Sequence, residues 1–372
     1  MERIEFASSP RPTLGVEIEL ALVNAESMAL SSAIEPIRRR LGEEYATCVK
    51  QELMQCYLEI NTGICETVAD AEADLRRTLK AVQSAADAEG VRLLWAGTHP
   101  FSLWQDQTPS VDDRYARLLD SLKDMGRQLI TFGLHVHVGV DSGDKAVMIC
   151  DRIMRYLPIM LAMSANSPFW NNRVGGLMSH RSKIMEGLPT AGLPAVMRNW
   201  SEFVWLMNHL VDTGFINSIR DIWWDVRPHH NFGTVEVRVC DVPGNLHDTM
   251  GIVALIQSLI HALSEEIDVG TYQHEYHPMM VRQNKWRASR YGVDATLVDT
   301  FTFEEQPVRE IVPELVRRLG DSARHLGCLD ELQRASQFVE RPGWANRQLA
   351  LLHETGDPVE VVRRLTEASR VE

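Results

Sequence analysis

Four short stretches of this 372-residue chain obey one rule, and that rule limits what the rest can fold into. They read "GVEIEL" from residue 15, "YLEINTG" from 57, "GLHVHVGV" from 133 and "GTVEVRV" from 233. Successive side chains on a β-strand point to opposite faces, so residues two apart share a face. Glu17 and Glu19 then project one way, and Val16, Ile18 and Leu20 the other. Likewise Glu59 and Asn61 oppose Leu58 and Ile60, His135 and His137 oppose Leu134, Val136 and Val138, and Glu236 and Arg238 oppose Val235, Val237 and Val239. Such alternation belongs to antiparallel or mixed sheets with one face away from the core. The fold class expected is α+β, a mainly antiparallel sheet with helices on its apolar face and a cavity lined by charged groups on the other.

A solvated sheet face would favour Thr, Lys, Ser and scattered charge. Here the polar set is Glu, His and Arg, with Glu52 nearby. Taken singly, a Glu-x-Glu strand is ordinarily a solvated face, and Glu236 and Arg238 could simply make a cross-strand ion pair. Four strands in agreement argue otherwise, because crowded carboxylates are costly unless cations neutralise them. Carboxylates with one or two imidazoles suit Mg²⁺ or Mn²⁺ better than zinc, which usually takes more His or Cys. Mg²⁺ in turn usually implies a phosphate ligand. The chain has neither a G-x-x-x-x-G-K-[ST] loop nor a G-x-G-x-x-G. A nucleotide would therefore be held on the sheet through metals and Arg or Lys.

The net charge of -13 disfavours nucleic acid or an anionic membrane as the main partner, since both call for a basic footprint. No basic leader followed by an apolar stretch opens the chain, and no uninterrupted apolar run approaches the roughly 20 residues of a membrane helix. The expectation is a cytoplasmic protein acting on small molecules. Six scattered cysteines without a C-x-x-C pair point to reduced thiols.

Strands are expected at residues 13–22, 55–62, 91–96, 133–140 and 233–241, and helices at 69–89, 113–130, 145–164, 199–213 and 246–265. Residues 97–115 and 167–181 read as irregular loops of the kind that carry function. From about residue 308 the spacing of Leu and Val predicts amphipathic helices packing on something larger. Trp223 and Trp224 read as core or cavity wall.

Taken together, "GVEIEL", "ELMQCYLEINTG", "GTHPF" with the later "RY", "GLHVHVG", "SPFW" with a later Arg, "WDVRP" leading to "FGTVEVRVCD", and "NKWRASRYG" resemble the bacterial carboxylate-amine ligases of the glutamate-cysteine ligase type 2 family. The resemblance runs from residue 13 to about 292. It implies a catalytic core similar to that of glutamine synthetase, built over a curved antiparallel sheet. The whole of 1–372 is then expected to be one catalytic domain, with a core over 13–292 and a helical extension over 293–372.

By that resemblance, Glu17, Glu19, Glu52, Glu59, His135 and Glu236 are expected to hold Mg²⁺ or Mn²⁺. Arg238 would contact the transferring phosphoryl group and His137 the substrate or nucleotide, while Arg227, Asn284, Lys285 and Arg287 lie in motifs expected to touch ATP or the amino acid. His99, Arg114, Arg173 and Arg181 are the expected substrate contacts, although His99 beside Pro100 could serve only to shape a turn. One departure stands out: many members read Asp-Thr-Gly where this chain has "RVGG" at 173–176.

The implied activity is ATP-dependent joining of a carboxylate, expected to be the γ-carboxylate of glutamate, to an amine through an acyl phosphate, with a homodimer as the expected assembly. Two rivals stand beside it. One is a cupin-like metal-dependent oxygenase, which would need a further His from among His229, His230 and His247; the other is a catalytically silent binding protein descended from the ligase.

Overall fold

The computed structural model describes residues 4–271 and 276–372. Seven strands form an open sheet: β1 (Leu14–Asn24), β2 (Val49–Gln51), β3 (Tyr57–Asn61), β4 (Val91–Leu94), β5 (Gly133–Gly139) and, further along the chain, Val226–His229 and Thr234–Asp241. A separate parallel pair, β6 (Ala191–Gly192) and β7 (Trp223–Trp224), precedes the last two, which become β8 and β9. The sheet order is β2-β3-β1-β5-β9-β8. Strand β4 joins the far end of β1 on the β5 side, since Ala21 pairs with both Tyr57 and Leu94. Every pairing in this sheet is antiparallel.

The alternation works as the sequence predicts. Val16, Ile18, Leu20, Leu58, Ile60, Leu134, Val136, Val138, Val235, Val237 and Val239 are all buried. Helices Val68–Ala88, Gly143–Ile153, Leu157–Ser164 and Leu246–Asp268 pack on the sheet from that side. Each has a local reason to begin where it does. Thr67 and Asp70 form a reciprocal capping box, and Ser142 and Asn245 accept backbone N–H bonds at the starts of two others. Leu246–Asp268 is long and apolar enough to cross a membrane by length and composition, but fifteen of its residues are buried against this protein.

The segment after β9 is largely helical. The helix Leu329–Val339 lies along Leu246–Asp268, Arg341 and Trp344 donate to the buried Asp248, and Gln348 donates to Asn166. Residues on both sides of 292 share one apolar core.

Several boundaries differ from the sequence reading, each for a physical reason. The expected helix 113–130 is two helices, Asp113–Leu122 and Asp124–Arg127, broken at Lys123, whose φ of 51° is left-handed. The expected helix 145–164 is likewise divided by a 3-10 turn, Met154–Tyr156, after which Pro158 opens a new helix where its missing N–H costs nothing. Strands β2 and β8 went unread. They are short and lie at the two sheet edges, where β8 can accept Pro228. "NKWRASRY" belongs to the helix Pro278–Tyr291.

Candidate active site

The polar face of the sheet opens into a cavity of about 530 Å³. Its floor follows from register. Residues directly opposite on paired strands share a face: Glu17 faces His135, Glu19 faces Glu59, His137 faces Glu236, and Glu236 faces Arg227. A β-bulge interrupts the β5–β9 pairing between Leu134 and Val136, so both Arg238 and Val239 lie against His135. Bulges re-aim side chains. Here Arg238 stays on the cavity side, donating to Glu236 Oε1, with Nη1 3.4 Å from His135 Nδ1. The hairpin joining β8 to β9 turns at Gly233, at φ 64°, where a Cβ would lie 1.6 Å from the Ala7 carbonyl oxygen. Gly133 at the start of β5 donates its N–H to Glu19 Oε2 at 2.5 Å and leaves room for the Arg181 guanidinium, 2.1 Å from where a Cβ would sit.

Two groups of possible ligand atoms come within 4.8 Å of one another: Glu17, Glu59 and His135, and Glu17, His137 and Glu236. Glu17 belongs to both. Its Oε2 is 3.2 Å from His135 Nδ1 and its Oε1 is 3.5 Å from His137 Nε2. His137 Nδ1 is fixed by Thr234 Oγ1 at 2.9 Å, whereas its buried Nε2 has no hydrogen-bond partner and lies 3.8 Å from Glu236 Oε1. An orphaned imidazole nitrogen between two carboxylates fits a hard divalent cation, and so does the oxygen-rich donor set.

The electrostatics differ along the floor. Burial raises Glu236, but Arg227 and Arg238 outweigh it and hold the carboxylate well below its ordinary range. Arg227 Nε donates to Glu236 at 2.6 Å. Burial also raises Glu17, and bonding to His135 and His137 brings it well below its ordinary value. Glu52 is pushed up to about 8, first by burial and then by Glu19 and Glu17. Burial followed by Glu17 and Glu52 likewise drives Glu59 well upward, with Lys50 3.8 Å away as a partial counterion. His135 is lowered by burial and by Arg238.

Of the residues singled out from sequence, Glu17, Glu19, Glu52, Glu59, His135, His137, Glu236, Arg227, Arg238, Arg114 and Arg181 all line this one cavity. Arg181 is buried, its Nε lacks a hydrogen-bond partner, and it reaches the Arg238 carbonyl only at 3.4 and 3.5 Å. The others lie elsewhere. Asn284 clamps Val298, donating to its carbonyl and accepting its N–H. Lys285, 1% exposed, is neutralised by Asp225 and by Glu186, the latter at 2.7 Å. Arg287 donates to the Thr296 carbonyl and Glu305. Helical geometry fans these three around the helix, and none of them lines the cavity. His99 shapes a turn, accepting N–H bonds from Phe101 and Ser102 at Nδ1 with Nε2 2.9 Å from the Met28 carbonyl oxygen. Arg173 is exposed on the surface. The "RVGG" departure therefore changes no side chain of the cavity, and the silent-protein reading loses its support.

The oxygenase reading fares no better. His247 sits beside Asp248 at the start of a core helix, and neither His229 nor His230 belongs to either ligand group. His229 instead stacks on Phe232 with ring centroids 4.2 Å apart. Sequence reasoning missed Lys50, Tyr57, Tyr115, Arg220 and Phe232 in the cavity wall, and Trp223, read as core or wall, is wall. Reading "VKQE" as a strand running into the site would have found Lys50.

Solved structures share this architecture. A glutamate-cysteine ligase from Francisella tularensis, in complex with AMP, superposes with a TM-score of 0.72 over 98% of this chain and 90% of its own, at 13% identity. A bifunctional glutathione synthetase from Pasteurella multocida gives a TM-score of 0.72 at 15% identity, over 96% of this chain and 52% of that longer one. The fold is thus that of glutamate-cysteine ligases. Among sequences, the "Putative glutamate--cysteine ligase 2" of Gloeobacter violaceus is 39% identical over 364 residues, 97% of this chain and 98% of the relative. Residues 13–367 match the glutamate-cysteine ligase family 2, and the chain belongs to that family.

Proposed function

We propose that this chain is an ATP-dependent carboxylate-amine ligase that activates glutamate and joins it to an amine, cysteine being the acceptor its relatives' names suggest. The observation that carries the reading is the pair of ligand groups sharing Glu17, set directly beside the Arg227–Glu236–Arg238 ion-pair array. Glu17, Glu59 and His135 would hold one divalent ion, Glu17, His137 and Glu236 a second, with Glu19 and Glu52 flanking them. Mg²⁺ or Mn²⁺ bound there would neutralise phosphate oxygens and orient the nucleotide.

The side chains of this protein do the rest by placement. Arg238, tied to Glu236, offers fixed N–H donors to the phosphoryl group as the substrate carboxylate attacks the γ-phosphorus and ADP leaves. Arg181, buried and without an ion-pair partner among the described residues, suits a substrate carboxylate, and Arg114, which lines the same cavity, suits a second anionic group. The acyl phosphate is then attacked by the amine, and phosphate leaves. No side-chain nucleophile is required.

The test is phosphate release from Mg²⁺-ATP and glutamate, screened across cysteine, other amino acids and simple amines. Release should require the nucleotide, the carboxylate and one class of amine together. If Mg²⁺-ATP binds and no amine ever stimulates release, the ligase reading fails.

A further inference from the structure

Away from the sheet, a second cavity of about 250 Å³ lies among the 3-10 turn Met154–Tyr156, the helix Val308–Arg318, and the segment 297–306. It shares no lining residue with the cavity over the sheet. Two guanidiniums converge in it on one neutral oxygen: Arg155 and Arg318 donate to the Tyr156 hydroxyl at 2.8 and 2.7 Å. A phenol oxygen has two lone pairs to accept with and one proton to give. With both lone pairs engaged by cations, its O–H is left to donate. The Arg155 guanidinium also sits over two rings, 4.8 Å from the Tyr156 centroid and 4.9 Å from that of Phe301, which fixes its plane. Arg155 Nε is buried with no hydrogen-bond partner.

Asp299 and Glu314 line the same cavity, and Asp299 feels the charge of Arg155, but among the described residues neither carboxylate forms an ion pair with these guanidiniums. Asp299 turns its Oδ1 to the backbone N–H groups of Phe301 and Thr302, and Glu314 pairs outward with Arg317 at 2.6 Å. Like charges drawn to one hydroxyl repel unless an anion joins them. Arginine forks match a tetrahedral oxyanion, and a cavity of this size suits a small one rather than a nucleotide.

We propose that Arg155, Arg318 and the Tyr156 hydroxyl form a phosphate-binding site, separate from the cavity over the sheet. The probe is inorganic phosphate titrated calorimetrically into the full chain with divalent ions removed by chelator, so that the carboxylate-lined cavity is at its most repulsive to anions. One saturable site per chain is expected. Its affinity should fall at least tenfold in Arg155→Gln and in Arg318→Gln, fall about threefold in Tyr156→Phe, and stay unchanged in Arg114→Gln, whose side chain belongs to the other cavity. Arg318 reaches in from the exposed end of its helix, so Arg318→Gln tests the site even if Arg155→Gln fails to fold. No saturable binding, wild-type affinity in Arg318→Gln, or loss in Arg114→Gln would each overturn the proposal.

Discussion

At one end of the cavity floor Glu236 lies between Arg227 and Arg238, and its carboxylate stays ionised despite being 1% exposed. At the other, Glu59 lies opposite Glu19, burial and the charges of Glu17 and Glu19 drive both Glu52 and Glu59 upward, and Lys50 lies 3.8 Å from Glu59. The same residue type is thus pushed in opposite directions a few strands apart. The arginine end carries two guanidiniums bound to its carboxylate, whereas at the carboxylate end Lys50 approaches Glu59 only to 3.8 Å. That asymmetry separates a carboxylate already held by cations, which also stabilises the fold, from carboxyls that depend on an added ion for their charge balance.

The largest effects should separate the ends most clearly. Glu59→Gln and Glu236→Gln are both expected to lower ATP turnover on the order of 10³-fold, the scale of losing a fixed electrostatic group from a transition state. Their stabilities should diverge. Glu236→Gln strands Arg227 and Arg238 in a buried site, a loss of about 3–5 kcal/mol, while Glu59→Gln removes a carboxyl whose charged form burial and the neighbouring carboxylates already disfavour, and should cost under about 1 kcal/mol. Urea denaturation of both variants without metal checks the difference, and equal losses would erase the distinction between the ends. Next in size, Arg238→Lys keeps the charge and loses the fork, for a fall of about 10²-fold in kcat at nearly unchanged fold stability.

The pH response sharpens the same comparison. Without metal, Glu52 keeps its proton up to about pH 8 in the folded chain, whereas its ordinary value is 4.5. The folded state therefore binds more protons between those values, so this group's contribution makes stability fall as pH rises from about 4.5 to 8. Glu52→Gln should flatten that slope. Divalent ions need the deprotonated form, so Mg²⁺ should raise the melting temperature more at pH 8 than at pH 6. A larger rise at pH 6 would contradict the assignment. Smallest of all, Arg287→Ala removes a surface contact with Glu305, and turnover should stay within about twofold.

How far the sequence reached can be judged residue by residue. The polar floor was legible because a period of two assigns faces without knowledge of packing: Glu17, Glu19, Glu59, His135, His137, Glu236 and Arg238 needed only that their strands be recognised and stacked in one sheet. Lys50 and the edge strands were lost because three or four residues carry too little period, and Pro228 argues against a strand unless its edge position is known. Asn284, Lys285 and Arg287 failed differently. A helix presents residues all round, and which side faces a cavity is set by partners distant in sequence, such as Asp225 for Lys285 and Val298 for Asn284. The orphaned His137 Nε2, which places this imidazole with the ligand atoms, depends on Thr234 holding the other ring nitrogen and is invisible in "HVH".

The central claim is that the carboxylate end takes a divalent cation. Equilibrium binding of Mn²⁺, read from the paramagnetic signal of the free ion, tests it most directly on the wild type, Glu59→Gln and Arg287→Ala at pH 6 and pH 8. The account predicts saturable binding that tightens from pH 6 to pH 8, loses one ion per chain in Glu59→Gln and is retained in full in Arg287→Ala. Binding to Glu59→Gln with wild-type stoichiometry and affinity, or none by the wild type at either pH, would contradict it.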